Sequence, residues 1–406
     1  MVSLKYKLRP SRAQHARLAE LLDQERKLYN AALEERISAW RRGISITQND
    51  QTKSLTEIRR FDPTYGEVPY NLSKWTLCRL DDAMKGFFRR AKSRAGKAGF
   101  PRFRPASRWY SFGFSQIGGL RVKDGALLFK GLTGRLRFRQ HRPLPTGAIL
   151  KSAVFTRTGR AWHVCLTASV PAATHHTNVG STVGIDVGTE ALATLDDGTR
   201  VENIRPGGRQ KQAIRRAARA LSRCKRGSHR RAKVRARLAR AQRDIRNSRS
   251  TYLHQLSRKI ADRYALIAVE KLQLRNMTRS AKGTDEAPGS NVRQKAGLNR
   301  ALADAAPGRL ISMLRYKAEW AGGVLVEVDP KRTSQECSSC GQLVPKALKE
   351  RRHICACSAD LHRDHNAAIN ILKRGLAAHE AARRLGELNV ADCGVRAPGT
   401  ADLLAA

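Results

Sequence analysis

Residues 182–200 read TVGIDVGTEALATLDDGTR. Val183, Ile185 and Val187 alternate around a single acid, Asp186, with Gly188 close behind, and the chain then turns back through Leu192 to Leu195 into an Asp196-Asp197-Gly198 turn. The pattern predicts a β-hairpin with a carboxylate near its start. A carboxylate on a central strand is costly to bury unless a cation compensates it. In a nucleic-acid enzyme that cation is usually magnesium shared with other carboxylates, so the fold turns on where those acids lie.

The 406 residues leave room for two or three domains. Lys and Arg number 78 against 34 Asp and Glu, a formal charge of +44, which calls for a polyanionic partner. Nucleic acid is favoured over a membrane, because there is no long apolar run and no signal peptide, and the charge is spread along the chain. A ribosomal or histone-like binder is the plainer alternative, but such proteins rarely carry this much hydrophobic material or hairpins with embedded acids. Of the eight cysteines, four crowd into Cys337–Cys357, while Cys78, Cys165, Cys224 and Cys393 are scattered. That spacing predicts a metal cluster in a reducing compartment, hence a cytoplasmic protein, and no disulfide framework.

Along the chain, MVSLKYKLRP at 1–10 alternates Leu4, Tyr6 and Leu8 with Lys5, Lys7 and Arg9. It predicts either an ordinary amphipathic edge strand or one whose basic face meets phosphates. Ser11 with Gln14 makes a capping box for a helix running to Trp40, and Lys74–Ala95 predicts a second helix ending in cations. GFPRFRP at 99–105 sets two aromatics among arginines; Arg102, Phe103 and Arg104 suit base stacking and backbone contact, or else seal a domain edge. Six short strands between Trp109 and Ser169, with no helix among them, predict a small antiparallel barrel.

After the Asp186 hairpin, residues 209–249 hold 17 Lys or Arg against one acid, Asp244, with an apolar stripe beneath. A long helix broken near Gly227 is expected, its cations (Arg215, Arg216, Arg219, Arg223, Arg230 and Arg237 among them) repelling one another unless phosphates lie alongside. YALIAVEKL at 264–272 predicts a strand buried on both faces and bearing a second acid, Glu270. Residues 281–290 predict a mobile loop, Leu298–Trp320 helix interrupted at Pro307, and Val324–Val328 another buried strand.

Cys337-x-x-Cys340 and, after 14 intervening residues, Cys355-x-Cys357 predict one structural zinc in a ribbon. The second pair is one residue short of the usual knuckle, which leaves room for distortion or for His353 to replace a sulfur. Asp364 then stands where a final helix begins, a place that also suits a plain N-cap. Together Asp186, Glu270 and Asp364 follow the order β-β-β-α-β-α-β-α of an RNase H-like fold. Carboxylates so placed can converge on two magnesium ions, one activating water and the other stabilising the leaving oxygen in phosphodiester hydrolysis.

The stretches GIDVG (184–188), VEKLQLRNM (269–277), TSQECSSCG (333–341) and HRDHNAAINIL (362–372), with GFPRF (99–103), resemble the motifs of the TnpB (OrfB-type) family of insertion sequences, over about residues 1–375. The resemblance implies a multidomain α+β protein. Residues 1–10 and 106–175 would form a β-barrel wedge domain, 11–105 a helical recognition lobe inserted in it, and 180–332 with 361–376 a RuvC-like nuclease domain. Residues 333–360 would be the zinc ribbon inserted there, and 377–406 a disordered tail. It further implies an RNA-guided, magnesium-dependent DNA endonuclease, monomeric, that binds a guide RNA from the transposon end and checks a short adjacent motif in duplex DNA. Asp186, Glu270 and Asp364 would be its catalytic acids. His362 departs from the Asp of many relatives and would stand near the metals. An RNA-guided repressor that does not cut, or a transposase acting without RNA, are the competing readings; the intact acid set speaks against the first.

Overall fold

Strand β1 (Val2–Arg9) buries Leu4, Tyr6 and Leu8 and turns Lys5, Lys7 and Arg9 outward, as the alternation of residues 1–10 requires. The computed structural model describes residues 1–93, 99–170, 180–347 and 350–385. The chain falls into two units, Met1–Ala173 and Thr174–Ala406.

In the first unit α1 (Arg12–Arg41) opens on the expected capping box. Ser11 Oγ accepts from the Gln14 N–H at 3.2 Å, and Gln14 Oε1 accepts from the Ser11 N–H at 3.1 Å. Helix α2 (Gln48–Phe61) was not expected, because its apolar stripe is only Leu55, Ile58 and Phe61 and of these it buries Leu55 alone; its readable signal is the Thr47/Asp50 box at its start. After the single turn α3 (Pro63–Gly66), α4 (Tyr70–Lys92) starts earlier than Lys74, directly behind Pro69, and the expected end at Ala95 lies outside the described residues. Strands β2 (Ser111–Phe114), β3 (Leu120–Lys123), β4 (Ala126–Phe129), β5 (Leu136–Arg139), β6 (Ile149–Thr158) and β7 (Ala161–Ser169) fall where the sequence places them. With β1 between β7 and β5 they make one seven-stranded antiparallel sheet, ordered β2-β6-β7-β1-β5-β4-β3. The sheet curls until Phe114 on β2 meets Phe129 on β4, ring centroids 5.5 Å apart, although the outer strands β2 and β3 do not pair. Leucines of α1 and α4 share one core with Phe112, Phe155 and Trp162 of the sheet.

The second unit begins with β8 (Ser181–Asp186), β9 (Ala191–Leu195) and β10 (Arg200–Glu202), followed by α5 (Pro206–Ser222) and α6 (His229–Arg263). The break between these helices contains Gly227, whose φ of +84° a residue with a side chain rarely adopts. Then come β11 (Tyr264–Glu270), the turn α7 (Leu274–Met277), α8 (Val292–Ala305), α9 (Pro307–Trp320), β12 (Val324–Val328), a small hairpin of β13 (Arg352–Ile354) and β14 (Asp360–His362), and α10 (Arg363–Arg384). The five-stranded sheet runs β10-β9-β8-β11-β12, with β11 parallel to both β8 and β12 and the first three strands antiparallel. Strand β11 is buried as expected, but β12 is only half-buried, because it is the outer strand and pairs on one side alone. Helix α10 continues through residue 384, into the stretch expected to be disordered, on helix-favouring Ala377, Ala378, Ala381 and Ala382. Residues 386–406 lie outside the described residues.

Candidate functional site

Asp186 closes β8 and Glu270 closes β11. These strands pair in parallel with Ala268 opposite Gly184 and Val269 opposite Ile185, so the next step of the register sets Glu270 beside Asp186. Helix α10 packs on both strands through Ala368, Ile371 and Gly375, and its first turn carries Asp364. Asp364 is not the cap: His362 is, its Nδ1 accepting the Asp364 N–H at 3.1 Å. His362 thus starts the helix and leaves the Asp364 carboxylate free of the capping role.

Burial, then the charges of Glu270 and Asp364, push the Asp186 carboxyl up to about 8, against a smaller lowering by Arg363. Glu270 is also raised, by burial first, while a hydrogen bond from Thr333 and the Arg374 charge draw it down. Three acids from separate elements, one of them pushed up to about 8 first by burial and then by the charges of the other two, form an arrangement that a divalent cation would relieve.

The four thiols converge. Cys337, Cys340, Cys355 and Cys357 have Sγ atoms within 4.8 Å of one another, with the 337–357 and 340–355 pairs at 3.6 Å. Tetrahedral Zn–S bonds of about 2.3 Å require sulfurs roughly 3.8 Å apart, so the set fits zinc despite the short C-x-C pair. His353 is not the fourth ligand. It is fully buried, its Nδ1 against Lys346 Nζ. Burial pushes the Cys337 thiol up, but the N–H groups of Cys340 and Ser339, with His353, bring it below the usual range and favour the thiolate a metal needs.

The ribbon is tied to the sheet and to α10. Arg351 reaches Glu190, in the β8–β9 turn, at 3.4 Å; Glu190 also holds Arg200 at 3.1 Å. Asn366 and Asn370, one turn apart and buried, donate to backbone carbonyls at the ribbon's base. Sequence reading missed these asparagines and Thr333; their signal was the N-x-x-x-N spacing on one helix face and the Thr preceding the first cysteine pair.

The cations fall in three places. Arg215, Arg216, Arg219, Arg223, Arg230 and Arg237 are all exposed on α5, α6 and their connection. Asp304 of α8 fastens those helices, accepting from the Gly207 N–H at 3.0 Å and pairing with Arg249 at 2.7 Å. Lys5, Lys7 and Arg9 line β1. Arg102 and Phe103 are exposed, whereas Arg104 is half-buried and its backbone is clamped by Asn30 of α1, which accepts its N–H at 2.8 Å and donates to its carbonyl at 3.1 Å.

Comparison with known proteins adds the family. A model described as "Probable transposase" (OrfB_IS605) matches residues 163–281, one described as "Cas12f1-like, TNB domain" matches 308–371, and a helix-turn-helix model of the OrfB type matches 1–45. The chain is 30% identical to an Escherichia coli K12 protein described as a candidate RNA-guided DNA endonuclease, InsQ, over 92% of this chain and 92% of that relative. It is 31% identical to a Streptomyces pristinaespiralis protein of the same description, over 93% and 90%. The chain therefore belongs to the TnpB/OrfB family of insertion-sequence proteins. A solved Cas12f1–sgRNA–target DNA complex aligns over 92% of this chain and 99% of that chain, with a TM-score of 0.32 and 16% identity. CRISPR-Cas_phi3 aligns over 92% of each, with a TM-score of 0.42 and 10% identity.

Proposed function

We propose that this protein is an RNA-guided DNA endonuclease whose second unit is an RNase H-like (RuvC-type) nuclease with an inserted zinc ribbon. The observation that carries the reading is the placing of Asp186 and Glu270 side by side at the ends of neighbouring parallel strands, with Asp364 opening the helix packed across both and near enough for its charge to act on Asp186. Those three carboxylates would hold magnesium, which when bound lowers the pKa of water and stabilises the leaving oxygen of a phosphodiester. The chain's own residues do the rest. Burial of Asp186 keeps bulk water from screening the site, and His362 fixes the start of the helix that presents Asp364. The exposed cations of α5, α6 and β1 would neutralise backbone phosphates, leaving sequence choice to pairing between a transposon-derived guide RNA and one DNA strand, beside a short duplex motif. The four thiols would hold one structural zinc. The relatives described as RNA-guided DNA endonucleases support this reading across almost the whole chain.

The test is purification with co-expressed native RNA, then cleavage of a plasmid library in which a guide-matched target is flanked by randomised bases, with magnesium, in parallel with Asp186→Ala. Guide- and flank-dependent double-strand breaks that vanish in the variant are expected. Binding of the matched target without any cutting, with RNA and metal present, would replace the nuclease with a guided repressor. Strand joining without RNA would point to a transposase.

A further inference from the structure

The hydroxyl of Thr333, a residue only 3% exposed, donates to Oε1 of Glu270. The Pro330 carbonyl, at 3.2 Å, is the other acceptor within reach, but the hydroxyl has one proton and the carboxylate forms the shorter, charge-assisted bond. Thr333 is itself held from α10: Asn370 Nδ2 donates to its carbonyl at 2.9 Å and to the Glu336 carbonyl at 2.7 Å. One turn earlier Asn366 donates to that same Glu336 carbonyl at 2.7 Å, and its Oδ1 accepts from the N–H of Ser338, which lies between Cys337 and Cys340, at 2.8 Å. Arg374 completes the latch on the Asp329 and Lys331 carbonyls, at 3.0 and 2.8 Å.

Arg332, directly before Thr333, has φ +62°, a left-handed conformation that a residue with a side chain rarely adopts. Its carbonyl accepts from the N–H groups of Gln335 and Glu336 at 3.0 and 2.9 Å, which holds the turn closed. A flexible glutamate on a strand end would otherwise sample several rotamers. With Oε1 fixed, its other oxygen is left for a cation.

We propose that Thr333 is a positioning residue for Glu270, and that the Cys337/Cys340 knuckle and α10 act on the nuclease carboxylates through it. The proposal rests on the reading of Asp186, Glu270 and Asp364 as a metal site.

The test measures Mn²⁺ binding to the full chain, freed of nucleic acid in high salt, by the loss of the free-ion EPR signal, with zinc content determined on the same samples. Thr333→Val should weaken Mn²⁺ binding about ten- to a hundredfold, the usual cost of losing an outer-sphere partner, while keeping one zinc per chain, and Thr333→Ser should restore it. Asn370→Ala, which frees the Thr333 backbone without touching its hydroxyl, should weaken binding as well. Wild-type Mn²⁺ affinity in Thr333→Val, failure of Thr333→Ser to restore it, or loss of zinc from Thr333→Val would overturn the positioning role. Wild-type affinity in Asn370→Ala would overturn the coupling to α10. Glu270→Gln separates the two levels: if it binds Mn²⁺ as tightly as wild type, the metal-site reading itself falls.

Discussion

Gly184 on β8 lies directly beneath Ala368 on α10: a Cβ built at position 184 would stand 2.1 Å from the Ala368 carbonyl oxygen and 2.7 Å from the Leu372 backbone nitrogen. No side-chain rotation relieves a clash with backbone, so the first glycine of GIDVG is required by the packing of α10 on the sheet. Two residues beyond Gly184 is Asp186, and four residues before Ala368 is Asp364, so the spacing of this contact sets the spacing of two of the acids.

Gly184→Ala is therefore expected to push α10 off β8. Overpacking of this kind costs about 1–3 kcal/mol or more, and the displaced Asp364 should cost activity beyond that. The check is a denaturant titration together with cleavage measured well below the melting temperature. Wild-type cleavage in a variant that has lost stability would show that the acids tolerate the shift and that the glycine serves folding alone.

Zinc removal should act on the ribbon without loss of magnesium as its cause. Cys355→Ser, or a zinc-selective chelator, is expected to release one zinc per chain and open residues 333–362 to protease. Added magnesium should not reverse the effect. Protection of that segment in the zinc-free protein would mean that the Asn366 and Asn370 latches hold the ribbon unaided.

What the sequence made legible was whatever local chemistry determines. Alternation showed β1 and β7, the Ser11/Gln14 box showed the start of α1, and Gly227 showed the break between α5 and α6. Asp186, Glu270 and Asp364 stood out because each ends or begins a regular element. What stayed hidden were relations between distant residues. Thr333 reaches Glu270 across 63 positions, and Asn366 reaches Ser338 across 28, so neither shows in a local pattern. Helix α2 was hidden for a different reason: its apolar residues, Leu55, Ile58 and Phe61, make only a short stripe confined to its second half.

The first unit carries a pH dependence of its own. Glu25 is wholly buried on α1, accepting from Ser73 and Thr76 of α4, and burial pushes its carboxyl from 4.5 up to about 7 despite those bonds and the Arg59 charge. The folded chain thus keeps this proton up to a higher pH than the unfolded chain does. Its stabilising contribution is full below about pH 4.5 and is lost as pH rises through 7, a difference of about 3 kcal/mol. Glu25→Gln should flatten that part of the profile and gain several degrees in Tm over wild type at pH 8, with the gain shrinking towards pH 5. Parallel profiles for the two proteins would show that Glu25 is ionised throughout.

Arg215 and Arg219 sit one turn apart on the exposed face of α5, while Ala217 is buried on the opposite side. Neither has a carboxylate partner among the described residues, so their mutual repulsion is uncompensated in the protein alone. If phosphates supply the compensation, the Arg215→Gln, Arg219→Gln pair should weaken nucleic-acid binding at low salt and reduce the slope of log K against log salt concentration by about 1.4–1.8, near 0.7–0.9 for each phosphate no longer neutralised. Sequence preference should be unchanged, because backbone contacts carry no base information. Filter binding of the guide RNA and of target duplex over a salt series measures both slopes. A drop confined to one of them assigns this face of α5 to that partner, and an unchanged slope for both would mean that the phosphates lie elsewhere.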